Sequence, residues 1–181
     1  EYIITAINPV NGEMEANNIT VLTSVFGSDI VKYYKNDTQY YATFVNEVGS
    51  PLANTNVTFN INGVLYTRST NDKGNAKLNI NLNPDNYIIT AINPINDEMH
   101  ANNIEVLPTI TADDLAMIYR NDKFTAHVVD GQGNALAGSN VTFNINGVFY
   151  TRTSNSDGDA RLNINLDVGN YTITSTDEKG L

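Results

Sequence analysis

Apolar and polar residues alternate along Asn56–Arg68 (NVTFNINGVLYTR), and the pattern returns at Asn140–Arg152 as NVTFNINGVFYTR. Such alternation is typical of a strand with one face buried and the other in water. An Asn-Gly pair then separates this strand from a second β-rich run, which is the strongest short-range signal for a hairpin with a two-residue turn. The pattern predicts two hairpins, with Gly63 and Gly147 in structural roles at their turns. The predicted buried face of the first copy carries Val57, Phe59 and Ile61.

The repeat extends beyond the hairpin, since Asn56 and Asn140 are 84 positions apart and so are Tyr87 and Tyr171. A period of this length suits one small sandwich domain better than a solenoid unit. Seven short strands separated by turn signals predict an all-β fold of tandem immunoglobulin-like, seven-stranded Greek-key β-sandwiches. Because the chain has no cysteine, they contain no disulfides. The predicted strands are residues 29–34, 39–45, 57–61, 64–69, 76–82, 87–92 and 103–107.

A tyrosine stands at the start of the predicted sixth strand in both copies, at Tyr87 and Tyr171. In immunoglobulin-like sandwiches a tyrosine here bonds back to the main chain a few residues upstream, an arrangement called the tyrosine corner. Antibody domains carry a disulfide cysteine two residues later, whereas this chain has Ile89 and Ile173. We expect structural roles for both tyrosines and apolar packing in place of the disulfide.

The sequence begins in the middle of a repeat. Residues 2–9 match residues 87–94, and ITVL at 19–22 matches IEVL at 104–107. We therefore expect residues 1–22 to be the last two strands of a preceding repeat, or donor strands. Residues 23–107 are predicted to form a complete domain, and residues 108–181 a domain that lacks its last strand.

A sandwich without its last strand exposes unpaired main-chain groups and part of its core, so something has to cover it. Three interpretations remain open at the sequence level. The sequence can be a window of a longer repeat array. Residues 1–22 can complement a neighbouring molecule head to tail, which gives a filament. They can also fold back onto their own chain.

The connections between repeats are short, reading TSVFGS after residue 22 and PTITAD after residue 107. Short connections favour a fairly stiff rod over beads on a flexible string. We expect apolar Val25, Phe26 and Ile110 to pack between successive domains.

Charge and composition exclude several classes of function. The net charge is −10, from 20 acidic and 10 basic residues, which disfavours nucleic-acid and anionic-membrane partners through repulsion. The absence of cysteine excludes thiolate chemistry and cysteine zinc sites. No apolar stretch is long enough to span a bilayer, so no membrane insertion is predicted in this segment.

Repetition also tests catalytic candidates, because a residue that every module needs should recur at its matched position. His127 matches Thr43 and His100 matches Glu15, so neither histidine recurs. With no recurring nucleophile, base or metal cluster, the residues predict no enzyme activity, catalytic residue or cofactor. Lys32 is matched by Met117, which argues against a covalent lysine clamp shared by the repeats.

Three further patterns give weaker candidates. Asp157 and Asp159 lie in an Asx-rich loop that superficially resembles a calcium site, but the Glu of an EF-hand is missing. Arg68 and Arg152 recur two residues after a tyrosine, where a guanidinium can cover the ring or bridge a carboxylate. N-glycosylation sequons occur at Asn56, Asn140, Asn18, Asn36 and Asn170. Asn56 and Asn140 are favoured, because they stand at matched positions of the two repeats.

The segments VTFNINGVLYTR, TNDKGNAKLNINL and NYIITAINP resemble the immunoglobulin-like repeats of adhesin-like surface proteins in methanogenic archaea and, more distantly, bacterial immunoglobulin-like domains. The resemblance implies an extracellular, cell-surface or cell-wall-associated stalk without catalysis, whose partners are further copies of the repeat. The alternatives are a head-to-tail filament subunit and a module that binds host or cell-wall glycans through Tyr33, Tyr40 or Tyr41.

Overall fold

The computed structural model describes residues 1–118 and 122–181, and within these residues the chain forms sixteen β-strands and no helix. The all-β class predicted from the alternating pattern is therefore confirmed. The strands are β1 Tyr2–Ile7, β2 Met14–Ile19, β3 Val25–Gly27, β4 Ile30–Tyr33, β5 Tyr40–Phe44, β6 Asn56–Ile61, β7 Val64–Ser69, β8 Asn75–Leu78, β9 Asp85–Ile92, β10 Met99–Leu107, β11 Ile110–Ala112, β12 Lys123–Val128, β13 Asn140–Ile145, β14 Val148–Thr153, β15 Asp159–Asn163 and β16 Ile173–Thr176. No helix able to span a bilayer occurs in residues 1–118 and 122–181.

β1 and β2 form an antiparallel two-stranded sheet, which we call the N-terminal hairpin. Tyr2 lies opposite Ile19 at one end and Ile7 opposite Met14 at the other. All residues of both strands are exposed. The hairpin therefore has backbone pairing but no covered apolar face.

β3 to β10 form two sheets packed face to face, which we call the middle sandwich. One sheet has the order β3-β5-β8, and the other has the order β4-β10-β9-β6-β7. This strand order is that of an immunoglobulin-like sandwich. Phe59 is fully buried between the sheets and meets the rings of Tyr40 and Phe44 edge to face.

The middle sandwich has eight strands because β3 is an additional strand that precedes the predicted first strand at residues 29–34, and the predicted strand corresponds to β4. β3 pairs with β5, whereas β4 pairs with β10 in the parallel direction. The chain changes sheets after Gly27, where a Cβ atom would collide with the Tyr40 hydroxyl and the Asn102 amide. Glycine is therefore required at this close approach.

Beside Gly27, the buried side chains of Tyr40 and Asn102 and the exposed carboxylate of Asp29 form a hydrogen-bonded chain that joins the two sheets. Tyr40 Oη donates a 2.7 Å hydrogen bond to Asn102 Oδ1, and Asn102 Nδ2 donates to Asp29 Oδ1 at 3.1 Å. Desolvation raises the pKa of Tyr40 to about 12, so the phenol stays a donor. In the second repeat, Ala112 stands at the position of Gly27 and Phe124 at the position of Tyr40. Phenylalanine has no hydroxyl, so it cannot donate the corresponding hydrogen bond.

β11 to β16 form the C-terminal sandwich, with sheets of order β11-β12-β15 and β14-β13-β16. Phe143 is fully buried and packs edge to face on Phe124, as Phe59 packs on Tyr40. Among the described residues, no strand of this sandwich corresponds to β4 or β10. Residues 113–117 match the β4 region but form no strand, since β10 is the only partner of β4 in the middle sandwich.

Two predicted strand boundaries were wrong. The strand predicted at residues 76–82 ends at Leu78, although Ile80 beyond it is still buried. The strand predicted at residues 103–107 begins earlier, at Met99, because Met99 to Asn102 continue the antiparallel ladder with β9.

Candidate functional site

The recurrent residues of the two sandwich hairpins shape the backbone. Asn62 and Gly63 have φ of 50° and 81°, and Asn146 and Gly147 have 50° and 83°, which is the left-handed geometry of a type I′ turn. Asn60 Oδ1 also accepts a hydrogen bond from the Gly63 N–H at 2.9 Å.

The recurrent arginines bond to the main chain of their own edge strands. Arg68 Nη1 donates to the Thr67 carbonyl at 2.7 Å, and Arg152 Nη1 donates to the Thr151 carbonyl at 2.7 Å. β7 and β14 are the last strands of their sheets. These contacts differ from the two alternatives weighed from the sequence, a covered tyrosine face and a cross-strand carboxylate.

The two recurrent tyrosines each bond to the main chain four residues upstream. Tyr87 Oη donates to the Asn83 carbonyl at 2.9 Å, and Tyr171 Oη donates to the Asp167 carbonyl at 3.1 Å. This is the geometry of a tyrosine corner, and it holds the loop that enters β9 or precedes β16.

The carboxylate of Asp159 contacts both an imidazole and a guanidinium group. His127 Nδ1 lies 3.0 Å from Asp159 Oδ1, and Arg161 Nη2 lies 3.0 Å from Asp159 Oδ2. The hydrogen bond from His127 is the main cause that lowers the pKa of Asp159. Asp157, the other calcium candidate, donates its main-chain N–H to Asn155 Oδ1 within an Asx turn.

Across the described parts of the chain, no group of three or more His, Cys, Asp or Glu side chains is placed to hold a metal ion.

The sequon asparagines occupy three kinds of position. Asn56 and Asn140 are exposed at the start of β6 and β13, and Ser69 or Thr153 donates a hydroxyl hydrogen bond to the side-chain oxygen of each. Asn18 and Asn170 are exposed on the N-terminal hairpin and before β16. Asn36 is different, because its side-chain amide donates to the carbonyl of Gly131 in the next sandwich.

The three tyrosines considered for glycan binding do not share one surface. Tyr40 is fully buried against Phe59, so its inclusion was wrong: the tyrosine alternates inward on β5. Tyr33 lies at the contact with the C-terminal sandwich, where a side chain at Gly133 would overlap its ring. Tyr41 is 58% exposed and lies directly opposite Lys77.

Lys32 is buried, with 4% of its surface exposed, and this was not foreseen from the sequence. Its ammonium donates hydrogen bonds to three main-chain carbonyls, those of Asn36 at 2.6 Å, Thr38 at 2.9 Å and Ile80 at 2.8 Å. Desolvation lowers the pKa of Lys32, and the nearby charge of Asp37 opposes that shift. The ammonium thus fastens the β4–β5 turn to the chain that follows β8.

The contact between the two sandwiches is polar. Lys35 Nζ donates to the Lys179 carbonyl at 2.6 Å, and Asn36 Nδ2 donates to the Gly131 carbonyl. Tyr33 packs beside the same loop at Gly133. The expected apolar junction was wrong, since Val25 is fully buried inside the middle sandwich and Ile110 packs on the core of the C-terminal sandwich.

An open groove of about 960 Å³ runs along the C-terminal sandwich. Its walls are the 110–117 segment on one side and the 166–175 segment on the other, and its floor includes Phe124, Ile145 and Ile164. Within residues 1–118 and 122–181, β13 is the only strand that pairs with β16. The groove occupies the place that β10 fills in the middle sandwich.

No family model matches the chain, and no curated protein is significantly similar to it. Among solved structures, an adhesin that is stabilised by Ca²⁺ and helps an Antarctic bacterium bind ice is 16% identical, with 97% of this chain and 54% of that chain covered and a TM-score of 0.29. Invasin, a bacterial integrin-binding protein, is 20% identical over 90% of this chain and 37% of its own, with a TM-score of 0.40.

The fibronectin(III)-like modules of CbhA from Clostridium thermocellum are 15% identical, with 86% of this chain and 87% of that chain covered and a TM-score of 0.32. The chain spans 54% and 37% of the lengths of the first two structures. Its assignment as immunoglobulin-like rests on its own strand order.

Proposed function

We propose that the chain is a non-catalytic stalk segment of an extracellular adhesin-like protein on an archaeal cell surface. Its sandwiches are spacers, set in series so that they hold a binding region away from the cell. The observation that carries the proposal is the polar contact between successive sandwiches, made by Asn36 with Gly131 and by Lys35 with Lys179. A connection of two residues between β10 and β11, together with this contact, limits bending.

The structural contacts that the recurrent residues make support the same role. Gly63, Arg68 and Tyr87 act on turns, an edge strand and a loop, and so do their counterparts in the second repeat. A module whose role is to add length needs the same turn, edge-strand and loop contacts in each copy. It needs no reactive group that the copies share.

The rigidity of the junction can be measured with spin labels, because the chain has no cysteine of its own. Cysteines placed at exposed Lys77 and Arg161 report the distance between the two sandwiches by double electron–electron resonance. We expect a narrow distance distribution that broadens in the Tyr33→Ala/Lys35→Ala/Asn36→Ala variant. Removing the exposed side chains of Val48, Lys73 and Glu47 instead is the control and should leave it narrow. A broad distribution in the parent chain contradicts a stiff stalk.

We propose Asn56 and Asn140 as glycan attachment sites on this stalk, because both are exposed at matched places. Intact-mass spectrometry of protein from source cells should show sugar mass that Asn56→Gln and Asn140→Gln each reduce. Antibodies against the chain should label intact source cells. Labelling only after lysis would contradict a surface location.

Glycan binding is a second candidate, favoured by a shallow pocket beside Tyr41 that also involves Lys77 and Asn75. An exposed ring next to amide and ammonium donors can stack on a sugar and bond its hydroxyls. A glycan array comparing the parent chain with Tyr41→Ala tests this role. Equal binding, or none by either protein, rejects it.

A further inference from the structure

The turns of the two sandwich hairpins carry a sequence that is prone to spontaneous chemical change. In an Asn-Gly pair the glycine nitrogen can attack the Cγ atom of the asparagine side chain, because glycine has no Cβ atom to obstruct the approach. Asn62-Gly63 and Asn146-Gly147 are such pairs, and all four residues are exposed to water. The turn geometry favours these residue types, since each residue has a positive φ. Both hairpins therefore depend on a chemically vulnerable pair.

The reaction at Asn62 would proceed through a cyclic imide. The Gly63 nitrogen forms a bond to Asn62 Cγ while the bond from Cγ to Nδ2 breaks, and the amide proton of Gly63 leaves with the NH₂ group as ammonia. Water then opens the imide at either carbonyl and gives aspartate or isoaspartate. Each product adds a negative charge to a chain whose net charge is −10. Isoaspartate also lengthens the main chain by a methylene, which disrupts a two-residue turn.

The space beside both glycines is open. Apart from the adjoining residues, no atom of the described parts of the chain lies within 4 Å of a Cβ atom built on Gly63 or Gly147. Steric shielding by neighbouring side chains therefore does not slow the attack. Protection has to come from the hydrogen bonding of the glycine nitrogen.

The nitrogen that would attack is engaged as a donor in both hairpins. The Gly63 N–H donates a 2.9 Å hydrogen bond to Asn60 Oδ1, and the Gly147 N–H donates a 2.9 Å hydrogen bond to Asn144 Oδ1. An acceptor at this distance stabilises the protonated nitrogen and opposes the loss of its proton. The hydrogen bond therefore acts on the step that makes the nitrogen a nucleophile.

Asn60 and Asn144 occupy strand positions that other residue types suit better. Both lie on the outward face of their strands, β6 and β13, directly opposite Leu65 and Phe149. Asparagine is depleted in strands, where β-branched and aromatic residues pack well. The asparagine and its bond to the glycine nevertheless recur in both hairpins. This recurrence indicates that the side-chain oxygen has a role at the turn.

We propose that Asn60 and Asn144 are protecting residues, which slow the deamidation of Asn62 and Asn146 by holding the proton of the following glycine. The hydrogen bond must break before the glycine nitrogen can attack. Each hairpin protects its own turn, since the acceptor and the glycine are three residues apart in the chain. This protection concerns the chemical lifetime of the fold and is independent of the junction stiffness on which the stalk role depends.

Peptide mapping by mass spectrometry tests the proposal on the unglycosylated recombinant chain, incubated at mildly alkaline pH. Deamidation replaces an amide NH₂ by OH, so the mass of its own peptide reports on each turn separately. In Asn60→Val, which keeps a strand-favouring residue, Asn62 should deamidate about fivefold faster than in the parent, the factor expected for one hydrogen bond. Asn146 of the same molecule is the internal control and should keep the parent rate.

Two further variants complete the comparison. Asn144→Val should give the reverse result, with faster deamidation of Asn146 and an unchanged rate at Asn62. Thr90→Val is the matched control, because Thr90 lies directly opposite Asn60 on β9 and this polar-to-apolar change leaves the acceptor of Gly63 in place. It should deamidate at Asn62 like the parent.

Hydrogen exchange distinguishes protection by this bond from a general loosening of the hairpin. In Asn60→Val the Gly63 amide should exchange about fivefold faster, whereas the amides paired between β6 and β7 should keep the parent rates. Faster exchange along the whole β6–β7 pair would assign the effect to a weaker hairpin and overturn the proposal. Equal deamidation of Asn62 in Asn60→Val and the parent would overturn it too, and so would an equal acceleration in Thr90→Val.

Discussion

The Ser24 hydroxyl donates a hydrogen bond of 2.6 Å to the carboxylate of Glu98, which ties the β9–β10 turn to the start of the middle sandwich. The Ser24 main-chain N–H and the Thr23 hydroxyl donate to the same carboxylate. These donors, led by the Ser24 side chain, lower the pKa of Glu98 below its ordinary value of 4.5. The ionised group therefore stabilises the fold at neutral pH, and this contribution is lost as the pH falls below 4.5 and through the lowered pKa.

Glu98→Gln should lower the free energy of unfolding by about 1–2 kcal/mol at neutral pH, since one charged acceptor is lost and an NH₂ group faces donors. The difference from the parent should shrink on acidification, because Glu98 becomes protonated in both states. Urea unfolding followed by circular dichroism at neutral and acidic pH measures both effects. Glu47→Gln, which changes an exposed loop carboxylate, is the control. A difference that does not vary with pH would refute this account.

Lys32→Met should destabilise the middle sandwich by about 1–3 kcal/mol, because three main-chain carbonyls lose their charged donor. Methionine stands at the matched position 117 of the sequence, and its unbranched side chain resembles the aliphatic part of lysine. Thermal unfolding measures the loss, and Lys77→Met on the exposed face of β8 is the control. An unchanged melting temperature would mean that water replaces the ammonium at no cost.

Arg68→Ala/Arg152→Ala should increase sheet-edge association with little effect on stability, less than about 0.5 kcal/mol. Hydrogen-bonded pairs alternate outward from the Asn62-Gly63 turn, so the Thr67 carbonyl points to the free edge of β7. Arg68 occupies that acceptor, which a foreign strand would otherwise use. Turbidity at high concentration measures the effect against Lys73→Ala/Lys77→Ala, which removes the same charge. Equal turbidity of the two variants would assign the effect to charge.

Tyr87→Phe and Tyr171→Phe should each cost about 0.5–1.5 kcal/mol, since each removes one hydroxyl hydrogen bond to a main-chain carbonyl. The two residues lie in different sandwiches, so the losses should add in the double variant. Urea unfolding of the single and double variants measures them. Losses that are strongly non-additive would show that the two tyrosines are energetically coupled and would contradict their independent roles.

Local patterns in the sequence predicted local structure well. Alternation placed Phe59 and Phe143 inside the sandwiches, and the Asn-Gly pairs placed the two hairpin turns. These features depend on neighbours within a few residues, so the sequence alone contains the needed information.

Features that depend on distant partners were missed. The additional strand β3 was not predicted, and it ends at Gly27 where the chain approaches Tyr40 and Asn102, which lie elsewhere in the sequence. The burial of Lys32 was not predicted, because its three acceptors are main-chain carbonyls, which every residue carries. The polar junction was missed for the same reason, since Asn36 and Lys35 contact the carbonyls of Gly131 and Lys179.

The parallel pairing of β4 with β10 determines how the middle sandwich responds to tension. β4 lies near the N-terminal end of the middle sandwich, and β10 ends at its C-terminal end. The two strands pair from Ile30 beside Ile104 to Tyr33 beside Leu107. A pull on the two ends therefore slides these strands past each other along their length. The hydrogen bonds between β4 and β10 are then loaded in shear and must break together, not one after another. The middle sandwich should therefore resist extension.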